Sequence, residues 1–255
     1  MPHTAETEKS PMRSLERALR VLAVLEEGGG AMSVTELGRA SELAKATVLR
    51  ILLILEKYRF VEKRHGRYRL GAAVLPLAYE YVLGNDLTRA ALPVLQELAR
   101  TSKITASLFV RIGFKRIAIQ RVEGIYPLRF ALPIGQRLPL HIGSGKVLAA
   151  GMTAEDLRRM VEGLEALAAN KEEGFNRETL IADIEKARSQ GYYVSLGERM
   201  EGTFSVSAPV VDPAKQTIAA VTVSGATDWL TPKKIESLII EVKDAAMATA
   251  ERYNV

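Results

Sequence analysis

Apolar residues recur at helical spacing through the first part of the chain, then switch repeatedly between helical and every-second-residue spacing. Over residues 14–27, Leu15, Ala18, Leu19, Leu22 and Leu25 share one predicted helix face, with Ser14 placed to cap it and Gly28-Gly29-Gly30 to end it. Ser33 and Glu36 have the S-x-x-E spacing of a capping box, which starts a second helix at Val34 with Leu37 and Ala40 inward. Ser41-Glu42-Leu43 is the turn. A third helix follows over 44–57, with Val48, Leu52 and Leu55 on one side and Lys45, Thr47 and Arg50 on the other. Phe60-Val61 and Tyr68-Arg69-Leu70 read as short strands around Arg64-His65-Gly66-Arg67, where the glycine allows a tight turn. Three helices and a basic hairpin predict a winged helix-turn-helix over residues 10–70.

Residues 71–86 predict a linker helix, with Pro76 imposing a kink or a late start. From 87 to 255 helices and strands alternate. Helices are expected over 87–101 (Leu92, Leu95, Leu98 and Ala99 on one face), from 146, over 153–161 and 177–190, and over 232–252, the last capped by Thr231. Strands are expected over 105–110, 116–123, 126–132, 192–196, 204–211 and 218–224. This pattern predicts an α/β or α+β second domain.

The chain has 255 residues, no cysteine, and 25% charged against 47% hydrophobic residues, as a soluble globular protein of one or two domains would. Disulfides and thiolate chemistry are therefore excluded. No apolar run is long enough for a membrane helix. Residues 1–10 are polar, lack an apolar signal core, and read as a disordered leader on a cytoplasmic protein. The net charge of +5 is uneven: residues 1–70 hold 13 Lys/Arg and 9 Glu, a balance of +4. Lys57, Arg59, Lys63, Arg64, Arg67 and Arg69 face only Glu62 in the predicted wing. Basic charge there points to phosphates, hence to double-stranded DNA, over the plainer alternative of a solvated charge run on an ordinary hairpin.

Lys45 and Thr47 sit early in the third helix, within reach of base edges or phosphates. Arg50, one turn on, can fork onto a guanine or a phosphate, or else pair with Glu42 or Glu56. Arg64, Arg67 and Arg69 suit sequence-blind phosphate contacts. In the second domain, Gly143-Ser144-Gly145 precedes a helix and offers amides to a carboxylate. Ser195, Ser205 and Ser224 can add hydroxyls, with Leu128 and Phe130 as an apolar wall. Read from residues alone, these serines can equally satisfy backbone groups, and Gly-Ser-Gly can be a plain turn. Enzyme signatures fail: Val147 follows Gly145-Lys146 and position 140 is Leu, so the P-loop pattern breaks twice, and Leu148 breaks the dinucleotide pattern. His3, His65 and His141 lie far apart, so no metal cluster, cofactor or catalytic set is expected.

Residues 43–52, Arg67-Tyr68-Arg69-Leu70-Gly71, Pro139-Leu140-His141 with Gly145-Lys146, and Gly191, Ser195, Glu198, Ser205, Val206, Ser207, Val210 and Asp212 at their spacings resemble the IclR family of bacterial transcription regulators. The resemblance implies a winged helix-turn-helix, a linker helix and a GAF-like effector-binding domain. It also implies a homodimer or tetramer on a palindromic operator and a small organic acid or aromatic effector. It favours a ligand pocket at Gly143, Ser144, Gly145, Ser195, Ser205 and Ser224. Members often hold Asp where this chain has Ser195 and Cys where it has Ser205. The 141–145 connection is one residue shorter here, and Val211 replaces an aromatic or His. Loss of a pocket carboxylate removes repulsion toward a second negative group, so the expected effector is an organic acid, aromatic or with a second anionic group. The expected function is a ligand-responsive DNA-binding regulator. The competing reading is a small-molecule enzyme or sensor whose N-terminal module docks to protein.

Overall fold

In the computed structural model, which describes residues 12–126, 132–168 and 175–254, the chain divides into a unit that runs through Tyr81 and another that starts at Val82. In the first, α1 (Arg13–Glu27), α2 (Val34–Ser41) and α3 (Lys45–Lys57) bury Val21, Leu37, Val48 and Leu52 between them. The capping box forms: the Ser33 hydroxyl accepts from the Glu36 amide at 3.3 Å, and the Glu36 carboxylate accepts from the Ser33 amide at 2.7 Å. Both are amides that a helix start would otherwise leave unpaired. Glu42, at φ 56°, turns the chain from α2 into α3. Strands β1 (Val61–Arg64) and β2 (Arg67–Leu70) form the antiparallel wing. Arg64 faces Arg67 across a two-residue turn, with His65 and Gly66 both at positive φ as a type I′ turn requires. Tyr68 also exchanges both backbone bonds with Met32, which ties the wing to the α1–α2 connection.

Three local expectations fail here. Helix α1 begins at Arg13 without a side-chain cap, so Ser14 lies inside it. Its core contacts are Val21 and Leu25, with Leu15 and Leu19 half exposed at 50% and 57%, because only the C-terminal part of the apolar stripe meets α2 and α3. Ala40 is exposed, and Ser41 is the buried residue, its hydroxyl donating to the Leu37 carbonyl at 2.6 Å. The linker helix α4 (Val74–Gly84) takes Pro76 in its first turn, which is the late start, and none of its residues is buried.

The second unit contains α5 (Asp86–Ser102), β3 (Thr105–Ile112), β4 (Lys115–Val122), β5 (Arg137–Pro139), α6 (Gly145–Ala150), α7 (Ala154–Ala168) and α8 (Arg177–Gln190). It continues with β6 (Tyr193–Leu196), β7 (Thr203–Val211), β8 (Thr217–Ala226) and α9 (Pro232–Tyr253). The strands form one antiparallel sheet in the order β5-β4-β3-β8-β7-β6. Helices α5 and α9 bury Leu95 and Leu238 with Leu108, Val206 and Val221 on one face. On the other face α6, α7 and α8 contribute Val147, Leu148, Met160 and Ile184. A wholly antiparallel sheet between helices makes this α+β. Thr231 caps α9 by accepting from the Lys234 amide at 3.2 Å.

Of the strand expected over 126–132, Tyr126 and Leu132 are described, and Tyr126 packs edge-on against Trp229 at 4.0 Å. Strand β5 has no counterpart among the expected strands, and α7 runs on to Ala168. Leu92 is on the surface; Leu87, Ala91, Leu95 and Leu98 make the inner stripe of α5.

Leu52 is almost fully buried where the three helices of the first unit meet. Leu52→Ala is expected to destabilise that unit by about 2–5 kcal/mol. Urea unfolding monitored by helical signal checks this; a loss under about 1 kcal/mol would show that the core is not organised around this side chain.

Candidate functional site

Helix α3 buries Val48, Leu52 and Leu55, so Ala46, Arg50, Leu53 and Lys57 stand on its opposite side. Lys45 and Arg50 are exposed and Thr47 is half-buried on a flank. Among the described residues Arg50 makes no ion pair with Glu42 or Glu56, which leaves its fork free. The wing arginines differ from one another. Arg67 donates to both Glu36 oxygens, at 2.9 and 3.2 Å, and to the Ala31 carbonyl at 2.9 Å. Arg69 pairs with Glu62. Arg64 is exposed and, among the described residues, unpaired. Glu36 is held below the usual carboxylate value by the Ser33 amide first, then by the Ser33 hydroxyl and Arg67. The wing is thus fastened to the start of α2 through a charge, and Arg67 already has a structural task.

The second site lies on the sheet face that α6 and α8 do not fully cover. Register aligns Thr105, Ser224, Ser205 and Ser195 in one row across β3, β8, β7 and β6. Two residues along each strand, Ser107, Thr222 and Ser207 make a second row on the same face. A floor of hydroxyls results, open to a cavity with about 610 Å³ of empty space, mouth included. Phe109, Leu132 and Leu138 form apolar wall. Thr222 donates to Ser207 at 3.0 Å, whereas among the described residues the hydroxyls of Ser107, Ser195, Ser205 and Ser224 bond no protein group.

Arg116 reaches this cavity from β4 and is only 3% exposed. Its Nη1 donates to the carbonyls of Pro139 and Ile142, the latter at 2.6 Å, and its Nε has no partner. Among the described residues no carboxylate pairs with it. Burial pulls the guanidinium down to about 10, with Arg199 acting the same way and Glu198 opposing, so it stays charged at neutral pH. A methyl placed on Gly143 would lie 3.7 Å from each of Arg116 Nη2, Ser195 Oγ and Ser205 Oγ. One cation and two hydroxyls therefore converge around Gly143. Gly145 supplies clearance: a Cβ there would meet the Leu140 carbonyl and lie 2.6 Å from Arg116 Nη1.

The expectation of free amides at 143–145 fails for Gly143 and Gly145 and is met only by Ser144, whose amide has no partner among the described residues. Gly143 N–H donates to Glu198 Oε2 at 3.1 Å, and the amides of Gly145 and Lys146 bond the Ile142 and Gly143 carbonyls. Glu198 is in turn held by Lys146 at 2.7 Å and by the Tyr193 hydroxyl at 3.0 Å, while Lys146 also meets Asp183 at 2.7 Å. Burial opposes the Glu198 charge, yet Lys146, the Gly143 amide and Tyr193 outweigh it and keep the carboxyl below its usual value. The Tyr193 hydroxyl is pushed up by burial and then by Glu198. Glu198 is thus committed to Lys146 and is no counter-ion for Arg116.

Of the expected ligand residues, Gly143, Ser144, Ser195, Ser205 and Ser224 come together at the cavity, and Gly145 lies beneath Arg116. Leu128 and Phe130 lie outside the described residues. Arg116, Arg121, Thr105, Ser107 and Thr222 were missed. One signal was available: hydroxyls at every second position of three strands whose other face is apolar.

Residues 14–65 match the IclR helix-turn-helix domain, and residues 79–250 match the family described as bacterial transcriptional regulator IclR C-terminal. The chain is 29% identical over 249 residues to the HTH-type transcriptional repressor AllR of Salmonella typhi, covering 96% of this chain and 92% of the relative. The crystal structure of an IclR family transcriptional regulator from Brucella abortus aligns with TM-score 0.84 and 22% identity over 98% of this chain and 97% of its own. An IclR homolog from Microbacterium hydrocarbonoxydans, complexed with 4-hydroxybenzoate, aligns with TM-score 0.71 and 19% identity over 94% and 99%. These two likenesses speak for the fold.

His141, half-buried before Gly143, is held below the usual histidine value by burial first, then by Lys115, Arg116 and Lys146. The unfolded chain therefore takes up this proton first. The stability His141 contributes is complete above its ordinary value and is lost as pH falls through the lowered folded value. Melting temperature should drop from pH 7 toward pH 5, and His141→Gln should flatten that drop. An unchanged slope in the variant would remove His141 from this account.

Proposed function

The chain belongs to the IclR family of bacterial transcriptional regulators, and we propose that it is a ligand-responsive repressor that binds a palindromic operator as a dimer and senses a small organic acid. Family membership sets aside the reading of an enzyme or of a module that merely docks to protein. Arg116 carries the proposal of an acid. A buried, half-satisfied guanidinium that pairs with no carboxylate among the described residues, beside unspent serine hydroxyls, suits an anion. The Microbacterium relative holds an aromatic carboxylate, which accords with this reading. Repression is taken from the name of the Salmonella relative.

On DNA, Arg50 with Lys45 and Thr47 reads base edges in the major groove, and Arg64 at the wing tip meets the backbone. One α3 offers few base contacts, so two copies are needed for tight binding. The linker helix supports this: Leu75, Leu77, Tyr79, Tyr81 and Leu83 are all largely exposed in the single chain. A helix apolar on every side needs a partner, and a second copy supplies it. The protein acts in the cytoplasm; among the described residues no helix is long and apolar enough to cross a membrane.

Footprinting should reveal two related half-sites. Arg50→Ala should weaken the operator more than random duplex by about 1–3 kcal/mol. Arg64→Ala should weaken both duplexes alike and lower the salt slope by about one. Equal losses on both duplexes for Arg50→Ala would reassign it to the backbone.

For the effector, a thermal-shift series with carboxylic acids should raise the melting temperature of the native chain. Ser195→Asp puts a carboxylate into the cluster around Gly143 that Arg116 Nη2 also borders and should abolish that rise. An effector without an anionic group, or a rise untouched by Ser195→Asp, would refute the acid reading.

A further inference from the structure

A second guanidinium reaches the same cavity, and a defect in the sheet puts it there. Arg116 and Arg121 are five residues apart on β4, so in a regular strand they would point to opposite faces. The register breaks between them: Leu108 pairs with Gln120 but Phe109 pairs with Ala118, which leaves Ile119 as an extra residue. This β-bulge resets the alternation. Arg121 then shares a face with its neighbour Ser107, as Arg116 does with Ala118, and both arginines line the cavity.

Arg121 is well enclosed, its side chain only 9% exposed. Its Nη1 donates to the Leu132 carbonyl at 3.0 Å, and its Nη2 meets the largely exposed Glu123 at 3.3 Å. Its Nε is buried and, among the described residues, has no partner. Thr105, one strand over and only 2% exposed, has a buried hydroxyl that is likewise unpartnered. Buried donors of this kind are rare unless something absent pairs with them. They also lie at the far side of the floor from the Gly143 cluster. Thr105 and Ser195 are in the same row but three strands apart, about 14 Å at the usual strand spacing. Among the described residues the serines between them bond no protein group.

We infer that the ligand is a dianion with a hydroxylated or otherwise oxygen-bearing middle, one carboxylate seated among Arg116, Ser195 and Ser205 and a second anionic group at Arg121 and Thr105. This rests on the acid reading above and narrows it to dicarboxylates and their like. One carboxylate is too short to meet both ends, and an apolar middle would leave the serine row unpaired.

Calorimetry on the full chain can compare succinate, glutarate, adipate and tartrate, each with its half-amide, which keeps the shape and removes one charge. At least one diacid should bind about tenfold or more tighter than its half-amide, as loss of a charge-assisted pair implies. Arg121→Met should bring that diacid to the level of the half-amide and leave half-amide binding within about twofold. Thr105→Val, nearly the same shape, should weaken the diacid selectively without challenging the fold. Equal affinities within every pair, or variants that weaken both members alike, would overturn the second anionic subsite. If such binding were still abolished by Ser195→Asp, the single-acid reading would survive that failure. Binding by none of these acids, or binding indifferent to Ser195→Asp, would overturn both.

Discussion

Arg116 is a cation taken out of water that meets no carboxylate among the described residues, and the architecture of the second unit turns on that. An isolated buried charge is unfavourable unless its hydrogen bonds and counter-charge are found nearby. Two carbonyls, from Pro139 and Ile142, satisfy part of it and thereby pin the connection between β5 and α6. Gly145 must lack a side chain for the guanidinium to lie where it does. The candidate neutraliser, Glu198, is drawn off by Lys146, Tyr193 and the Gly143 amide. The Lys146 network therefore both shapes the loop and keeps the cavity electropositive. On the acid reading proposed above, a ligand anion would remove the penalty that the fold leaves standing at this guanidinium.

The first unit shows the converse arrangement. Its wing is rich in positive charge, but formal charge is not available charge. Arg67 is committed to Glu36 and Arg69 to Glu62, in exposed pairs whose main effect is positional. Glu36 serves the α2 cap and the wing at once, so a single carboxylate links the helix start to the hairpin. Among the described residues Arg64 at the tip and Arg50 with Lys45 on α3 carry no ion pair. A hairpin held in place by its own ion pairs presents fewer phosphate contacts than its composition suggests, with better-defined positions.

What could be read from sequence divides along the range of the interaction. The capping box of α2, the stripe of α3, the late start of α4 and the Thr231 cap depend on residues within a turn or two, and all were legible. The inner face of α1 was not, because which apolar residues are covered depends on where α2 and α3 end. Ser195, Ser205 and Gly143 were legible from the family pattern, and they do converge. Arg116 and Arg121 were not, since facing in a strand depends on register, and register here depends on one bulge against β3. The supposed free amide of Gly143 failed for the same reason: Glu198, more than fifty residues on, occupies it.

Selectivity at such a cavity follows from what a wrong ligand leaves behind. An apolar pocket separates ligands weakly, because an extra or missing methylene is worth only about 1–3 kcal/mol. A floor of unspent hydroxyls behaves differently. A ligand that fills the cavity must offer hydrogen bonds to Ser107, Ser195, Ser205 and Ser224 or strand those groups. The same holds more strongly at each guanidinium. Discrimination therefore arises chiefly from the groups that a poorly oxygenated or neutral compound would strand, and less from the attraction of the right one. Ser195 in place of an acid extends this logic. A carboxylate there would add negative charge to the cluster around Gly143 that Arg116 also borders, and on the acid reading it would compete with the ligand for that cation.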